Sequence, residues 1–324
     1  MPGKVGPAEL TRHVFERTGS GDDRVRQGPA LGEDAAAIDV PAGTLVVSAD
    51  PISLAASEVG RLGVVVACND VAAAGADPRW LTVVCLLPTD DEDALETVTA
   101  DLDAAAREHG VTIVGGHTEY VDALERPILS VTAMGFADRF VPTGGATPGD
   151  RIVLAGPAGL EGTAILASDF AEAYSVPDDT VESALSFFDE LSVAPAAEIL
   201  RESASAMHDP TEGGVAAGLV ELARASSVDV DVDREVIPIR AETAALCRAA
   251  GVDPLRIFGS GALLATVPPA AVDGRLDALA AAGIDAAEIG VVTDNGDGAV
   301  DLDGERLTAV PTDDLYPLWE AADA

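Results

Sequence analysis

Four short segments of this chain combine carboxylates and glycines in patterns that could do chemistry: Gly32-Glu33-Asp34-Ala35-Ala36, Asn69-Asp70 through Asp77-Pro78, Gly115-Gly116-His117-Thr118-Glu119 and His208-Asp209-Pro210-Thr211-Glu212-Gly213-Gly214. A carboxylate set among small apolar residues is costly to bury unless a cation or hydrogen bonds satisfy it. The three segments in the first half therefore suggest one shared site, in which a divalent metal bridges protein carboxylates to a polyphosphate. The fourth reads as a helix start that faces an anion. Together they predict nucleotide chemistry.

Each residue also has a plainer reading. Asp34 and Asp50 suit metal binding, but Gly-Asp and Asp-Pro steps are equally turn formers. Asp70 is the sharper case. Its helix, Gly63 to Gly75, is almost wholly Val, Ala and Cys, so it reads as buried, and a buried carboxylate needs a partner. The alternative is an Asn69/Asp70 pair at an exposed helix edge. Gly115 and Gly116 permit close approach by a ligand, or simply positive φ. In extended geometry His117 and Glu119 share a face, and His117 is a candidate for metal or proton chemistry or an ordinary turn histidine. Thr211 reads as an N-cap, and the N–H groups of Gly213 and Gly214 as an anion cradle. Gly156, Gly159 and Gly162 are spaced as neither a dinucleotide fingerprint nor a P-loop, which leaves phosphate lining or packing for that loop.

The elements that must position these residues follow from the hydrophobic pattern. Helices are predicted over 8–18, 57–74, 90–109, 162–168, 195–204, 214–225, 241–250 and 270–282. Strands are predicted over 44–49 (ending at Asp50-Pro51), 81–86, 111–114, 128–136, 151–155, 228–232, 262–267 and 289–292. The Gly-, Pro- and Thr-rich stretch 137–150 reads as a linker, and the chain is expected to close in a short acidic tail. The expected domains are 1–140 and 141–324. Strands and helices mix without regular βαβ alternation, so the expected class is α+β.

Composition limits the partners. With 19 basic and 56 acidic residues the net charge is −37, and Lys4 is the single lysine. Self-repulsion of that size weakens a compact state, unless molar salt shrinks the screening length to roughly 3 Å. The expected setting is therefore the cytoplasm of a salt-accumulating organism. Nucleic acid is excluded as a partner, because phosphate grooves need clustered Lys and Arg. No apolar run reaches membrane-spanning length, and Met1-Pro2-Gly3-Lys4 lacks a secretory core. Cys68, Cys85 and Cys247 form no zinc pattern and suit a reducing interior.

Read in order, the segments resemble the superfamily of aminoimidazole ribonucleotide (AIR) synthetase, thiamine-monophosphate kinase, selenophosphate synthetase and the HypE-type carbamoyl dehydratase, with archaeal HypE-like, synthetase-related proteins nearest. Gly149-Asp150-Arg151, Gly159 to Gly162 and Gly259-Ser260-Gly261 extend the likeness over nearly the whole chain. The resemblance implies a PurM-like two-domain fold. An N-terminal α/β domain would carry a sheet that pairs across a homodimer, a C-terminal α+β sandwich would follow, and ATP would lie in the groove between them. It implies that Asp34, Asp50 and Asp70 bind Mg²⁺, and that Gly115, Gly116 and Thr118 line the site. Asp209, Thr211, Gly213 and Gly214 would face substrate or phosphate.

Three departures stand out. His117 replaces a family carboxylate, and imidazole suits Mg²⁺ poorly. The residues Pro317 to Ala324 lack the terminal cysteine of the carbamoyl dehydratases. No cysteine precedes Cys68, which sets selenophosphate synthesis aside. The expected function is ATP- and Mg²⁺-dependent phosphoryl transfer to an oxygen of a small substrate, with His117, Asp209 and Thr211 as catalytic candidates. The alternatives are a non-catalytic, ATP-binding dimeric paralogue or a partner in hydrogenase or cofactor maturation.

Overall fold

The computed structural model describes residues 5, 7–53, 58–89 and 93–322. The expectations that touch Met1 to Lys4, the 57 and 90 helix starts and the last two residues lie outside them. The chain divides into two compact units, one of residues 23–28 and 35–140, the other of 1–22, 29–34 and 141–324. The segments 1–22 and 29–34, expected in the first domain, thus group with the second half.

A short helix α1 (Pro7–Leu10) runs on through Thr11–Phe15. The 35–140 unit holds β1 (Val25–Gln27), β2 (Ala36–Val40), β3 (Gly43–Ile52), α2 (Val59–Ala73), β4 (Asp77–Leu87), α3 (Ala94–Glu108), β5 (Thr112–Tyr120) and β6 (Ile128–Ala137). Its six-stranded sheet is ordered β1-β2-β3-β6-β4-β5. β4 and β5 are parallel, joined across α3, and the other pairs are antiparallel. The two glycines of α2 have a direct structural use, since a Cβ on Gly63 would stand 3.0 Å from Val131 and one on Gly60 2.7 Å from Asp101. Bare backbone there lets α2 lie close against β6 on one side and α3 on the other. Val64, Ala67, Cys68 and Val71 fill the core with Leu81, Leu129 and Val131.

β3 and β5 are among the strands that outrun their expected ends. β3 continues through Asp50 and Pro51, which pair with Val131 and Ser130 of β6. The β2 ladder stops at Val47, so Pro51 faces a side where its missing N–H costs no ladder bond. β5 continues through both glycines because its parallel register with β4 persists to Tyr120. All nine residues of β5 are exposed.

The other unit contains β7 (Arg151–Ala155), α4 (Leu160–Asp169), α5 (Asp178–Leu185), α6 (Ala194–Leu200), β8 (Ala206–His208), α7 (Gly214–Ser226), β9 (Val228–Val232), α8 (Ala241–Ala250), β10 (Leu263–Val267), α9 (Val272–Ala281), β11 (Ala286–Asn295), β12 (Val300–Leu302), β13 (Glu305–Leu307) and α10 (Tyr316–Ala322). Its seven-stranded sheet is ordered β13-β12-β9-β11-β7-β10-β8. α7 is buried through Val215, Leu219, Val220 and Leu222, which join Ile152, Leu154 and Leu264 in one core. Where an acidic tail was expected, α10 is docked instead. Leu315 is fully buried, and Tyr316, Trp319, Phe170 and Phe258 pack edge-on or tilted against one another at centroid distances of 5.9–6.2 Å. Among the described residues no helix is long and apolar enough to cross a membrane.

Candidate active site

In the 141–324 unit the residues form a buried carboxylate–imidazole cluster. His208 ends β8, Asp34 belongs to the 29–34 segment, and Glu221 lies on α7. The Nδ1 of His208 is 2.9 Å from Asp34 Oδ1 and 3.0 Å from Oδ2, and its Nε2 is 3.0 Å from Glu221 Oε2. The His208 side chain is 4% exposed. Burial pushes its pKa down, but the charge and hydrogen bond of Asp34, followed by Glu221, outweigh it and raise the pKa to about 10. Both ring nitrogens are therefore donors, and His208 is the cation of the cluster. Asp34 Oδ2 also accepts from the Asp209 amide at 3.3 Å and from Thr143 Oγ1 at 3.4 Å. Glu33 accepts the amides of Thr143 and Gly144 at 3.2 Å each. Burial, chiefly, raises the Glu33 pKa.

The structure thus joins Asp34 directly to the backbone of Asp209, which is buried, with His208 beside it on the same carboxylate. In the sequence His208 stands within its segment without a role, and His117 is the candidate histidine. A histidine immediately before Asp209, in a segment already singled out, was the available signal. Glu33 was quoted beside Asp34 without a role. Glu221 gives no local signal, since it sits in what reads as the ordinary polar stripe of a helix.

The start of α7 departs from expectation. Its N-cap is Gly213, at φ 77°, with no side-chain cap, so Thr211 is not the capping residue. Thr211 instead offers its carbonyl to the amides of Gly214 and Gly259, both at 3.0 Å. The Gly213 amide donates to Asp313 Oδ2 at 2.8 Å. Both N–H groups expected to face an outside anion are therefore satisfied within the chain. Asp313 is 2% exposed, and burial raises its pKa to about 7. The glycines after β7 serve packing, because a Cβ on Gly162 would stand 2.7 Å from Ile257 and one on Gly159 2.8 Å from the Pro254 carbonyl.

In the 35–140 unit Asp70 is 7% exposed and Asn69 fully buried, which rules out the exposed-edge reading. Ser48 Oγ donates to Asp70 Oδ2 at 2.6 Å, a charge-assisted bond from β3 to α2. Asp50 lies two residues beyond Ser48, on the same strand face, and is half-buried. Burial, with the Asp70 charge beside it, pushes the Cys68 thiol up to about 12. Gly115, Gly116, His117 and Thr118 lie opposite Thr82, Val83, Val84 and Cys85 of β4. His117 Nε2 is 3.5 Å from Glu119 Oε2, and the two side chains are 67% and 61% exposed. The shared face is as expected, and it looks into solvent. Gly116 has φ 150°, and the backbone that crowds it is Val83 of β4.

Among the described residues no three His, Cys, Asp or Glu side chains gather as a metal-holding group. Mg²⁺ does not require one, since it is commonly held by one or two carboxylates plus substrate phosphates. Asp34, Asp50 and Asp70 offer the hard oxygens it prefers, and the Asp34 cluster carries more carboxylates than its one imidazolium balances.

Two family models match this chain: AIR synthase related protein, N-terminal domain, over residues 32–137, and AIR synthase related protein, C-terminal domain, over 147–303. The chain belongs to the AIR synthase related family. Within that family it is 33% identical over 282 residues to the carbamoyl dehydratase HypE of Rhizobium leguminosarum bv. viciae, spanning 82% of this chain and 78% of the relative. A Methanocaldococcus jannaschii protein named for hydrogenase expression and formation is 28% identical over 88% of this chain and 87% of its own length. The crystal structure of the hydrogenase maturation protein HypE in complex with ATP superposes with a TM-score of 0.70 at 28% identity, covering 95% of this chain and 97% of that one. HypE in its HypE–HypF complex superposes with a TM-score of 0.76 at 23% identity, covering 93% and 98%, and supports the fold. The AIR synthase related chain thus has the PurM-like, two-domain α+β fold.

Proposed function

We propose that this protein is an ATP- and Mg²⁺-dependent enzyme that transfers a phosphoryl group to an oxygen of a small substrate. The observation that carries the reading is two carboxylates, the partly buried Asp34 in one unit and the buried Asp70 in the other. Each is held by designed donors rather than left to solvent, and each occupies a position that the family resemblance gives to a metal ligand. The HypE relative with ATP bound supports the nucleotide.

In this reading Asp34, Asp50 and Asp70 hold Mg²⁺, and Gly115, Gly116 and Thr118 line the nucleotide. The metal, when bound, neutralises charge on the transferring phosphoryl group. Ser48 fixes the Asp70 carboxylate, and His208 with the Asp209 amide fixes that of Asp34. His117 and Glu119 are placed at a solvent-facing edge, where an incoming substrate can be oriented or a proton moved. Cys68, Cys85 and Cys247 are all buried, so none of the three is placed to carry a substrate group. That favours transfer to a free small molecule over chemistry carried on one of these thiols.

The homodimer belongs to the same reading. β5 is the last strand of its sheet. It exposes Ile113, Val114 and Tyr120 and carries no lysine, arginine or proline to discourage pairing. A second reading, a maturation protein that docks another protein, is favoured by the HypE–HypF neighbour. Incubation with Mg-ATP and candidate small substrates in molar KCl tests the proposal. A phosphorylated product or free phosphate is expected, whereas tight ATP binding with no phosphate transfer or release refutes it in favour of the non-catalytic reading.

A further inference from the structure

Resting on the metal role of Asp34, we propose that His208 is its positioning residue. Nδ1 sets the Asp34 carboxylate for the cation, while Nε2 ties the ring to α7 through Glu221. His208 touches both the 32–36 segment and α7, and its ring is clamped from both ends. Three donors reach Asp34 Oδ2, from His208, Thr143 and the Asp209 backbone. Oδ1 has the imidazole alone, so lone-pair capacity remains there for a hard cation. With Oδ2 held by three donors and Oδ1 steadied by the same imidazole, the carboxylate cannot swing toward Glu33 or Glu221, and it presents Oδ1 in the same place in every molecule. Without the ring, Asp34, Glu33 and Glu221 would be three acids sharing a buried site, and mutual repulsion would turn them apart. Partners behind a metal ligand that fix its orientation are commonly worth 10–100-fold in affinity.

Two amide substitutions separate positioning from general support. His208→Asn keeps a donor near the place of Nδ1 and can still hold Asp34. His208→Gln places its donor near Nε2 and can hold only Glu221. Both remove the same charge, so their melting temperatures without Mg²⁺ should fall together. The Mg²⁺ concentration for half-maximal thermal stabilisation in saturating ATP should stay within about threefold of wild type for His208→Asn. It should rise about 10–100-fold for His208→Gln. Equal Mg²⁺ responses in the two variants overturn the proposal. If wild type itself shows no Mg²⁺-dependent response, the nucleotide reading falls and takes this inference with it. If neither variant folds, the ring N–H resonances of His208 in the wild-type protein decide. The Nδ1–H signal should move on addition of Mg-ATP while Nε2–H holds, and an unmoved Nδ1–H overturns the proposal.

Discussion

Gly115 and Gly116 are neighbours in sequence with opposite structural obligations, and substituting each by alanine separates fold from ligand binding. At Gly116 a Cβ would lie against the Val83 carbonyl, 2.7 Å from its carbon and 2.8 Å from the Val83 nitrogen, where ordinary contact begins at 3.4 Å. The atoms in the way are backbone of the adjacent strand, so the β4–β5 ladder must open by more than half an ångström. Forced overpacking costs about 1–3 kcal/mol, and an alanine at φ 150° adds about 1–3 kcal/mol of backbone strain. Together these correspond to a melting temperature lower by about 3–9 °C for a chain of this length. At Gly115 a Cβ meets nothing within 4 Å, and an open surface substitution changes stability by about 0.5 kcal/mol or less. Thermal melting of both variants in molar KCl measures this directly. Gly116→Ala melting within a degree of wild type, or Gly115→Ala falling as far as Gly116→Ala, would refute the reasoning. A normal melt for Gly115→Ala together with weakened Mg-ATP binding would place that glycine at the nucleotide.

Two further outcomes follow from single contacts. The pKa of Asp313 is raised in the fold to about 7 from 3.8. The unfolded chain therefore gives up this proton first as pH rises, and stability is lost between those two values, on the order of 4 kcal/mol across the window. Melting curves from pH 4.5 to 8 should show the wild type falling relative to Asp313→Asn, and parallel profiles would contradict the burial argument. Val114→Lys puts a charge on the exposed β5 edge and should convert a dimer to a monomer in light scattering, with an unchanged melt at low protein concentration. A wild type that is already monomeric removes that edge as the interface.

Much of this architecture was legible in local pattern. Val228–Val232 and Ala241–Ala250 follow directly from periodicity, because their apolar faces are continuous and their ends carry ordinary stop signals. Asp70 was legible as well, since a lone acid in an Ala- and Val-rich helix must be satisfied, and Ser48 satisfies it. What stayed hidden depends on distant partners. Pro51 lies inside a strand because β2 ends before it, a fact of register that the Asp-Pro step cannot reveal. Thr211 has the right chemistry for a cap, yet Asp313, about a hundred residues later, supplies the carboxylate instead. The docking of α10 depends on an aromatic cluster assembled from three separate stretches of chain. His208 and Glu221 are thirteen residues apart, yet the run of contacts from Glu221 through His208 to Asp34 is visible only once β8 and α7 are folded together.

The most direct test of the account is calorimetric titration of Mg-ATP into wild type and Asp70→Asn in molar KCl. The asparagine carbonyl can still accept the Ser48 hydrogen bond, so the substitution removes charge with little change of shape. The account predicts binding by the wild type and affinity at least about tenfold weaker in the variant, in line with the loss of a carboxylate from a metal site. Equal affinity in the two proteins would contradict the claim that buried acids hold the nucleotide through a cation.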